Sequence, residues 1–371
     1  MIRVETLEKT KTGLRDFLDL PQRIYRKDPN WVPPMYSMQR GMLLGESNPL
    51  LKDEHTFLMV YDDDRPVARV LAGIDTRLNE RLGEKRGYIS LFESENDLEY
   101  ARAALDAAMH FLKNLGVTRV VGPNNAGFDD FSKGLLLEGF DGPPMLFNPY
   151  NPRYYNDFFL AYGFYKHRDH YAYHLNLKEF PAKDYQALSE MAQKRFHFRV
   201  EHANLRPENV ERLSAEVAQV VDEAFPDDWE LTPPTPEDIR DEMRTLCQYT
   251  KTDLIVMAYA EERPVGILVC LPDYNRLLRG TDGRMFPLGW LRLAFGKVRG
   301  VRCSMMFVTP DYQNKAVNVA MTLAAYAKAQ TLGIEEIEAS TIDETNLASI
   351  LATERTGAKR YRVYRQYEIK I

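Results

Sequence analysis

A turn that could hold a phosphate group lies in the second half of the chain. The stretch VTPDYQNKAVNVAM, from Val308 to Met321, runs from an apolar strand end through a polar turn into an alanine-rich helix. The amides and the dipole of a helix N-terminus bind phosphate without the help of side chains. Lys315 adds a positive charge beside those amides, and the carboxylate of Asp311 partly offsets it. The stretch therefore predicts an anion-binding turn, although it contains no glycine.

A candidate general base follows this turn. Glu338 lies in the strand-like stretch IEEIEAS, close in sequence to the predicted helix. A carboxylate placed beside a phosphate-binding turn could act as a general base on a bound substrate. The alternative is that Glu338, like Glu335 and Glu336, is a solvated charge on a strand or its edge.

Aromatic and histidine residues near the middle of the chain form a second candidate site. The segment FNPYNPRYYNDFF contains Tyr150, Tyr154 and Tyr155, which could form the wall of a substrate pocket between two domains. The alternative is aromatic packing without a ligand. Asp169 and His170 could pair as orienter and base, or His170 could be a packing or surface residue.

The segment GRMFPLGWLRLAFGKVRG, from Gly283 to Gly300, is both apolar and basic. Such a segment can lie on an anionic membrane surface or cover a lipid-binding cleft, with Trp290 as a substrate-pocket residue. Alternatively, its apolar face packs on its own domain. The helical face would contain Leu288, Leu291, Phe295 and Val298, with Phe286, Arg284, Arg292, Lys297 and Arg299 around it.

The chain contains the same pattern twice. MVYDDDRPVARVLAGI, beginning at Met59, and MAYAEERPVGILVCL, beginning at Met257, both predict a β-hairpin and are 198 residues apart. Two further pairs follow in the same order, NLGVTRVVG with TLGIEEIEA, and AYGFYKHRDHYAYHL with RTGAKRYRVYRQYEI. The repeat predicts two α/β units with mixed sheets, residues 1–176 and 197–371, joined by a linker at 177–196.

Composition narrows the functional class. The chain has 371 residues, 44% of them hydrophobic, and a net charge of −6, which argues against nucleic-acid binding. Its three cysteines show no CxxC or metal-ligand spacing, and no apolar run reaches the ~18 residues of a membrane span. The charged first residues do not resemble a signal peptide. These features predict a soluble, cytoplasmic protein without a metal.

The order of hairpin, strand, TPDYQNK turn, helix and then IEEIEASTIDETNLASILATERTGAKRYRVY resembles the GNAT superfamily of N-acyltransferases. The resemblance covers both halves, so it implies two GNAT-like acyl-CoA N-acyltransferase domains in tandem. The stretches LPQRIYRKDPNWVPPM and GPNNAGFDDFSKGLLLEGFDGPPMLFNPYNPRYY are similar to a bacterial subfamily of double-GNAT proteins. Some relatives in that subfamily are thought to N-acylate long-chain amino-lipids.

The resemblance also implies where an acyl-CoA would bind. In the GNAT superfamily a bulged strand leads into a Gln/Arg-x-x-Gly-x-Gly/Ala turn, whose amides hold the pyrophosphate. Gln313 takes the first position, while Ala316 and Asn318 stand where the family has glycines. Neither replacement removes a backbone donor, so the turn is weakened rather than lost. The implied donor-binding residues are Val308, Gln313, Asn314, Lys315, Ala316, Val317, Asn318 and Asn346, the last of which matches an asparagine that often contacts the pantetheine arm.

The family's tyrosine general acid is missing from its usual position in both copies. Counting back four residues from the glycine after the last helix leads to Thr353 in the second copy and to Phe159 in the first. The corresponding turn of the first copy, LFESENDLEY, carries Glu93, Glu95, Asp97 and Glu99, which would repel a pyrophosphate. We therefore expect the acyl donor in the second copy alone.

Three functions fit these observations. The first is N-acyl transfer from acyl-CoA or an acyl carrier protein to an amine, with Glu338 as the base and a small-molecule or long-chain lipid amine as acceptor. The second is a non-catalytic binding protein that has kept the tandem fold without acyl-CoA. The third is a Fem-like transferase, which the acidic balance disfavours because it would need an aminoacyl-tRNA channel. Acyl-chain length and oligomeric state are left open.

Overall fold

The computed structural model describes the chain except for residues 46–47, 49–50, 125–132, 250–253, 282 and 285–288. The strands are β1 (Ile2–Leu7), β2 (His55–Asp62), β3 (Arg65–Ile74), β4 (Arg86–Ser94), β5 (Arg119–Asn124), β6 (Leu135–Glu138), β7 (Tyr165–Asn176), β8 (Arg199–His202), β9 (Ile255–Ala260), β10 (Arg263–Pro272), β11 (Gly300–Val308), β12 (Glu336–Asp343) and β13 (Lys359–Lys370). The helices are α1 (Arg15–Ile24), α2 (Tyr36–Leu44), α3 (Thr76–Leu82), α4 (Leu98–Asn114), α5 (Tyr154–Tyr162), α6 (Ala182–Phe196), α7 (Val210–Ala224), α8 (Pro236–Tyr249), α9 (Asn275–Leu278), α10 (Gly289–Phe295), α11 (Val317–Thr331) and α12 (Leu347–Glu354).

These elements form two compact units that are not contiguous along the chain. Unit 1 contains Met1–Tyr171, Asn275–Gly296 and Arg362–Ile371, and unit 2 contains Ala172–Tyr274 and Lys297–Tyr361. Residues 177–196, predicted as a linker, form a 3₁₀ turn (Leu177–Glu179) and α6, which lie within unit 2. The division into copies at 1–176 and 197–371 stays a prediction.

Unit 1 is a mixed sheet with helices on both faces. Strands β1, β2, β3 and β4 are antiparallel, β5 is parallel to β4, and the last part of β13 pairs antiparallel with β5. The small and aliphatic residues of α4, including Ala104 and Leu112, pack on one face because their 3.6-residue spacing gives that helix a single apolar side. Phe17 and Leu18 of α1 pack on the other face.

Unit 2 repeats this arrangement. Strands β8, β9, β10 and β11 are antiparallel, and β12 is parallel to β11. Val317, Ala320 and Met321 of α11 pack against β10, and the absence of a side chain at Gly266 lets Val317 and Met321 lie close to that strand. The helix α7 packs on β10 and β11.

The predicted hairpin repeat is present down to the residue register. Tyr61 pairs with Pro66 in the first hairpin and Tyr259 with Pro264 in the second, and both ladders shift register at the next residue. The turn residues Asp63 and Glu261, also 198 positions apart, both have a left-handed backbone, with φ of 53° and 54°. The two units are therefore copies of one supersecondary structure.

None of the helices in the described part of the chain has both the length and the apolar character that a bilayer crossing requires.

Candidate functional site

The predicted anion-binding turn joins β11 to α11 in unit 2. Thr309 begins it: its amide donates to Val265, and its carbonyl accepts from the amides of Tyr312 and Gln313. The backbone then becomes left-handed at Asn314 (φ 61°) and again at Ala316 (φ 57°), which immediately precedes α11. Asparagine tolerates this conformation, whereas alanine is strained in it. Ala316 thus has the backbone that a glycine would adopt, which explains the family's preference at this position.

The start of α11 presents backbone donors. The first bond within the helix runs from the amide of Ala320 to the carbonyl of Ala316, at 3.1 Å. The helix therefore supplies no acceptor for the amides of Val317, Asn318 and Val319. As expected from the sequence, Asn318 lies in the first helical turn, where the backbone needs no glycine. This set of donors fits a diphosphate.

The charges around the turn differ from the expectation in one respect. The Asp311 carboxylate binds Arg263 at 2.7 Å, rather than neutralising Lys315. This ion pair lowers the pKa of Asp311 to about 2. The Lys315 ammonium lies 4.4 Å from the centre of the Tyr312 ring and 5.8 Å from that of Phe196. A cation held on aromatic faces beside free amides favours an anionic ligand.

Two further predicted donor-binding residues make local hydrogen bonds. The Gln313 side-chain amide donates to the carbonyl of Val308 at 3.2 Å, which closes the turn. Asn346 is the N-cap of α12, and its Oδ1 accepts from the amide of Ser349 at 3.0 Å. That cap leaves the Nδ2 amide of Asn346 as a donor.

The strands beside the turn pair over only part of their length. The parallel ladder of β11 with β12 ends at Cys303 and Ala339, although β11 continues to Val308 and β12 to Asp343. At the same level β11 bulges, because Cys270 pairs with Cys303 while Val269 pairs with Met305. A bulge bends its strand away from the regular sheet. Beyond this point the backbones of β11 and β12 are not paired with each other.

Glu338 lies one residue before the end of this ladder and is fully buried, with 0% of its surface exposed. Its carboxylate accepts hydrogen bonds from the hydroxyls of Ser340 and Tyr361. Arg302, also 0% exposed, lies 3.9 Å from it and donates to the Ser340 hydroxyl at 2.8 Å. The alternative of a solvated edge charge is therefore wrong for Glu338, and the buried carboxylate is matched by a buried cation.

Tyr361 connects this buried group to the surface. Its side chain is half-buried, and its ring lies 5.7 Å from that of His174, whose Nε2 is 3.0 Å from Glu336. The Glu338 carboxylate has no exposed surface, so the half-buried Tyr361 is the more exposed of the two hydroxyl-bearing residues that donate to it. Sequence reasoning missed Arg302, Ser340 and Tyr361, although an arginine in the middle of an apolar strand was a signal for a buried acidic partner.

An aromatic cluster lies on the same sheet face as Glu338. Val301 and Ile337 face α11, so the alternating side chains Arg302 and Glu338 face the side on which α7 packs. There the ring of Phe307 lies 5.9 Å from Trp229. Phe225 completes the cluster, 6.4 Å from Phe307 and 5.4 Å from Trp229. All three are half-buried, so they could line an apolar binding surface.

Unit 1 lacks this buried ion pair at the equivalent position. In unit 1 the last pair of the β3–β4 ladder is Ile74 with Gly87, and in unit 2 the β10–β11 ladder pairs Pro272 with Val301. These two ladder ends are equivalent positions. One residue further along the parallel strands, unit 2 pairs Arg302 with Glu338, whereas unit 1 pairs Tyr88 with Val121. The first copy thus carries no carboxylate at this place.

The acidic turn of the first copy is arranged differently from the expectation. Asp97 caps α4 by accepting from the amide of Glu99, and Glu95 binds Arg65 at 2.9 Å. Glu93 is not at the helix start: it accepts from the hydroxyls of Tyr25 and Tyr155, each at 2.8 Å.

Burial raises the pKa of the Glu93 carboxyl, and the nearby Arg69 at 3.7 Å and the two tyrosine hydroxyls reduce that rise. Glu93 therefore makes hydrogen bonds within unit 1, and the repulsion of a pyrophosphate by the other carboxylates of the turn stays a prediction.

The tyrosines predicted as pocket residues make hydrogen bonds within unit 1. Tyr155 is fully buried, Tyr154 donates to the carbonyl of Ser94 at 2.9 Å, and Tyr150 donates to Asp28 at 2.9 Å. Their role as a substrate-pocket wall stays a prediction.

The Asp169 carboxylate binds Arg365 through both oxygens, at 2.7 and 2.9 Å, and His170 is buried. This ion pair lowers the pKa of Asp169, although burial acts in the opposite direction. Trp290 lies on α10 and is half-exposed, while Phe286 and Leu288 lie outside the described residues. The described part of the chain shows no cluster of three or more metal-ligating side chains.

Comparisons with known proteins agree with this geometry. Residues 218–358 match the Acetyltransferase (GNAT) family. A protein named Bacterial ceramide synthase, from Caulobacter vibrioides (strain NA1000 / CB15N), is 29% identical over 375 residues, which cover 97% of this chain and 95% of the relative. Protein YghO of Escherichia coli (strain K12) is 28% identical over 393 residues, covering 100% of this chain and 97% of the relative.

A solved structure supports the tandem architecture. A tandem GNAT protein from the clavulanic acid biosynthesis pathway matches with a TM-score of 0.60 over 100% of this chain and 98% of that one, at 11% identity. Similarity at this identity establishes the fold alone, and it confirms the prediction of two GNAT-like domains. The chain therefore has the fold of two GNAT-like domains in tandem, and its residues 218–358 match the GNAT family.

Proposed function

We propose that this protein is an N-acyltransferase that moves an acyl group from acyl-CoA, bound in unit 2, to an amine. The observation that carries the proposal is the placement of a buried carboxylate, Glu338, one residue from the point where β11 and β12 stop pairing. The GNAT family uses acyl-CoA donors. In this proposal the acyl-CoA site and the candidate base thus belong to the same pair of strands, β11 and β12.

The donor would be held mainly by the backbone. Its pyrophosphate would accept from the amides of Val317, Asn318 and Val319, with Lys315 as the neighbouring cation. The pantetheine arm would lie between the unpaired ends of β11 and β12, within reach of the Nδ2 amide of Asn346. The length of the acyl chain, and the use of an acyl carrier protein instead of CoA, remain open within this proposal.

Glu338 would act through Tyr361, because the carboxylate itself is buried. The attacking amine would lose a proton to the Tyr361 oxygen while the Tyr361 proton moves to Glu338. The amine nitrogen would form the bond to the thioester carbonyl, the carbon–sulfur bond would break, and the thiolate would take up the proton along the same path. Arg302 would hold the Glu338 carboxylate in place before the reaction.

The acceptor in this proposal is a long-chain lipid amine. The half-buried rings of Phe225, Trp229 and Phe307 lie on the same sheet face as Glu338. Burial of an alkyl chain stabilises a complex by about 0.8 kcal/mol per methylene group, so such a surface favours a long chain. The relative named Bacterial ceramide synthase supports the same choice of acceptor.

The test measures release of CoA thiol and formation of amide with each pair of substrates. Donors are long-chain acyl-CoA and acetyl-CoA, and acceptors are sphingoid-type amines, polyamines and amino acids. We expect turnover with the sphingoid-type amines and not with the small polar amines. Turnover of polyamines with acetyl-CoA, and none of the lipids, would refute the lipid acceptor.

Glu338→Gln keeps the shape of the side chain and removes the base. We expect its turnover number to fall by about a hundredfold or more while acyl-CoA binding is retained. Unchanged turnover in a folded variant would remove Glu338 from the mechanism. Absence of turnover with every pair, together with no binding of acyl-CoA, would favour the non-catalytic alternative, which the strained Ala316 also suggests.

A further inference from the structure

The segment Asn275–Gly296 belongs to unit 1, although it lies in the chain between β10 and β11. Its first half is firmly attached there. The buried Asn275 donates to the carbonyl of Pro144 at 2.9 Å, and the amide of Tyr36 donates to the carbonyl of Gly283 at 2.9 Å. Gly283 has a φ of 70°, and an added Cβ would meet the Pro34 carbonyl oxygen at 2.3 Å. The described part of this first half is thus attached to unit 1 at Asn275 and Gly283.

The second half of the segment presents large apolar side chains to solvent. On α10, Trp290 is 51% exposed and Phe295 is 79% exposed, and no residue of this helix is buried. Burying an aromatic ring is a large source of stability, so a protein gains nothing by itself from exposing two of them on one short helix. The expectation that this segment packs on its own domain is therefore not met by these two rings.

The charge of the segment indicates what covers the rings. It carries four arginines, all exposed, and one acidic residue, Asp282, which lies outside the described residues. The chain as a whole has a net charge of −6. Positive charge is therefore concentrated beside the exposed rings. The arginines are Arg276, Arg279, Arg284 and Arg292.

We propose that this segment binds the surface of an anionic phospholipid bilayer. Trp290 and Phe295 enter the interfacial region, where aromatic rings are favoured, and the arginines contact the lipid phosphates. The attached first half fixes the direction in which α10 is presented. A second copy of the chain is the competing occupant. A phospholipid surface is favoured because it offers both the anionic layer and the apolar layer that the arginines and the exposed rings match.

This inference does not depend on the acyl-transfer chemistry. Only its consequence, that a membrane-dissolved amine reaches the protein at the bilayer surface, rests on the proposed function. Membrane binding and catalysis are therefore tested separately.

The binding test uses the full chain and vesicles of phosphatidylcholine with and without phosphatidylglycerol. We expect the protein to sediment with the anionic vesicles alone, and to be released as salt screens the attraction. Binding should also shift the tryptophan emission of a variant that keeps Trp290 and carries Trp31→Phe and Trp229→Phe. Failure to sediment with anionic vesicles at low salt overturns the proposal.

Matched variants locate the binding surface. Arg284→Gln combined with Arg292→Gln should weaken binding about fivefold per arginine removed, and Phe295→Ser should weaken it further. The controls are Lys113→Gln for charge and Leu160→Ser for an exposed apolar residue of α5 in the same unit. If the controls weaken binding as much, the surface is elsewhere. If Phe295→Ser instead splits a dimer on size-exclusion chromatography, the occupant is a second copy and the proposal is wrong.

Without vesicles, Phe295→Ser and Arg292→Gln should turn over a water-soluble sphingoid-type amine with a shortened chain as the wild type does. Loss of vesicle binding with retained turnover supports the membrane role. Loss of both would show that the segment acts on catalysis, and turnover absent from the wild type would count against the acyl-transfer function alone.

Discussion

Ala316 has a left-handed backbone and directly precedes the amides that would bind the proposed donor. A left-handed conformation costs a residue with a Cβ roughly 1–2 kcal/mol, whereas glycine adopts it freely. We expect Ala316→Gly to raise the free energy of unfolding by about 0.5–1 kcal/mol, since the added freedom of the unfolded chain cancels part of the relief. It should also tighten acyl-CoA binding, because a methyl group leaves the turn.

The matched control for this substitution is Ala324→Gly in the middle of α11, which should lower stability by about 1 kcal/mol. Urea denaturation of the three proteins gives both changes. Equal losses in the two variants would mean that Ala316 is not strained.

Tyr361 offers a sharper test of the proton path than Glu338. Tyr361→Phe keeps the ring beside His174 and leaves the buried Arg302–Glu338 pair intact. We expect the turnover number to fall about a hundredfold or more, with an unchanged KM for acyl-CoA.

The control is Tyr326→Phe, which removes a hydroxyl that binds Gln330 at 2.8 Å on α11. An equal fall in the control, or a change in KM alone, would contradict the role of Tyr361 in proton transfer.

The Arg263–Asp311 ion pair should make the stability of the turn depend on pH. The folded pKa of Asp311, about 2, is below its usual value of 3.8, so its contribution is complete above about pH 5 and is lost as the pH falls towards 2. Both side chains are partly exposed, so we expect less than about 1 kcal/mol. The difference in unfolding free energy between the wild type and Arg263→Gln should shrink over that range, and a difference that grows instead would contradict the assignment.

For single residues, the sequence predicted a chemical role for Glu338 but not the residues that surround it. Glu338 was a candidate base because of its type and its position after the turn. Its partners were not visible, since Arg302 and Tyr361 are 36 and 23 residues away along the chain and meet it only through strand pairing and the fold.

The starts of α4 and α11 are the elements that distinguish the two copies. Helix α4 begins with Asp97 as its cap and Glu99 in its first turn, whereas α11 begins with Lys315 before it and no acidic residue in its first turn. We expect Lys315→Glu to weaken CoA binding at least tenfold, because it reverses the charge beside the free amides.

The control changes the other helix start. Asp97→Asn with Glu99→Gln keeps a capping side chain and removes two negative charges, and it should leave CoA binding unchanged. Calorimetric titration of CoA gives both affinities. Loss of binding in this control alone would place the donor in unit 1.

Local elements were the easiest to predict. Both hairpins follow from apolar runs that flank an acidic turn and an Arg-Pro pair, and these signals lie within about 16 residues. The strands β1 and β8 were missed as a fourth repeat because the shared Arg-Val-Glu is so short. In the structure Arg3 pairs with Tyr61 and Arg199 with Tyr259, and each guanidinium stacks on its tyrosine, at 4.7 and 4.9 Å.

Helix α10 was only partly anticipated. The apolar periodicity suggested a longer helix that included Val298, but the helix ends at Phe295 and is followed by Gly296. A Cβ added at Gly296 would meet the carbonyl oxygen of Arg292 at 2.2 Å, so the chain needs glycine here because of a close approach, which periodicity does not report.

For the whole molecule, the sequence indicated two copies, but not that residues from the far end of the chain complete unit 1. Tyr367 of β13 is fully buried there, opposite Gly122, and its hydroxyl donates to Asn156 at 2.8 Å. Pairing between strands so distant along the chain leaves no local signal.

A truncated chain tests whether unit 1 needs the C-terminal residues to fold. We expect residues 1–176 alone to lack a cooperative unfolding transition, because β5 has lost its neighbour and the Tyr367 ring has left the core. Adding two peptides, one that covers Arg362–Ile371 and one that covers Asn275–Gly296, should restore protection of unit 1 from proteolysis. A stable, cooperatively folded 1–176 fragment would contradict the arrangement.

Unit 1 is built from separate segments of the chain, and this also has a consequence during synthesis. Its first part, Met1–Tyr171, leaves the ribosome about 190 residues before Arg362–Ile371 does. At ordinary rates of translation that interval lasts roughly 10–40 s. For all of that time the free edge of β5 exposes unpaired backbone groups to other chains. The nascent protein is therefore most prone to misassembly at β5, and slower translation would lengthen the time for which it needs a chaperone.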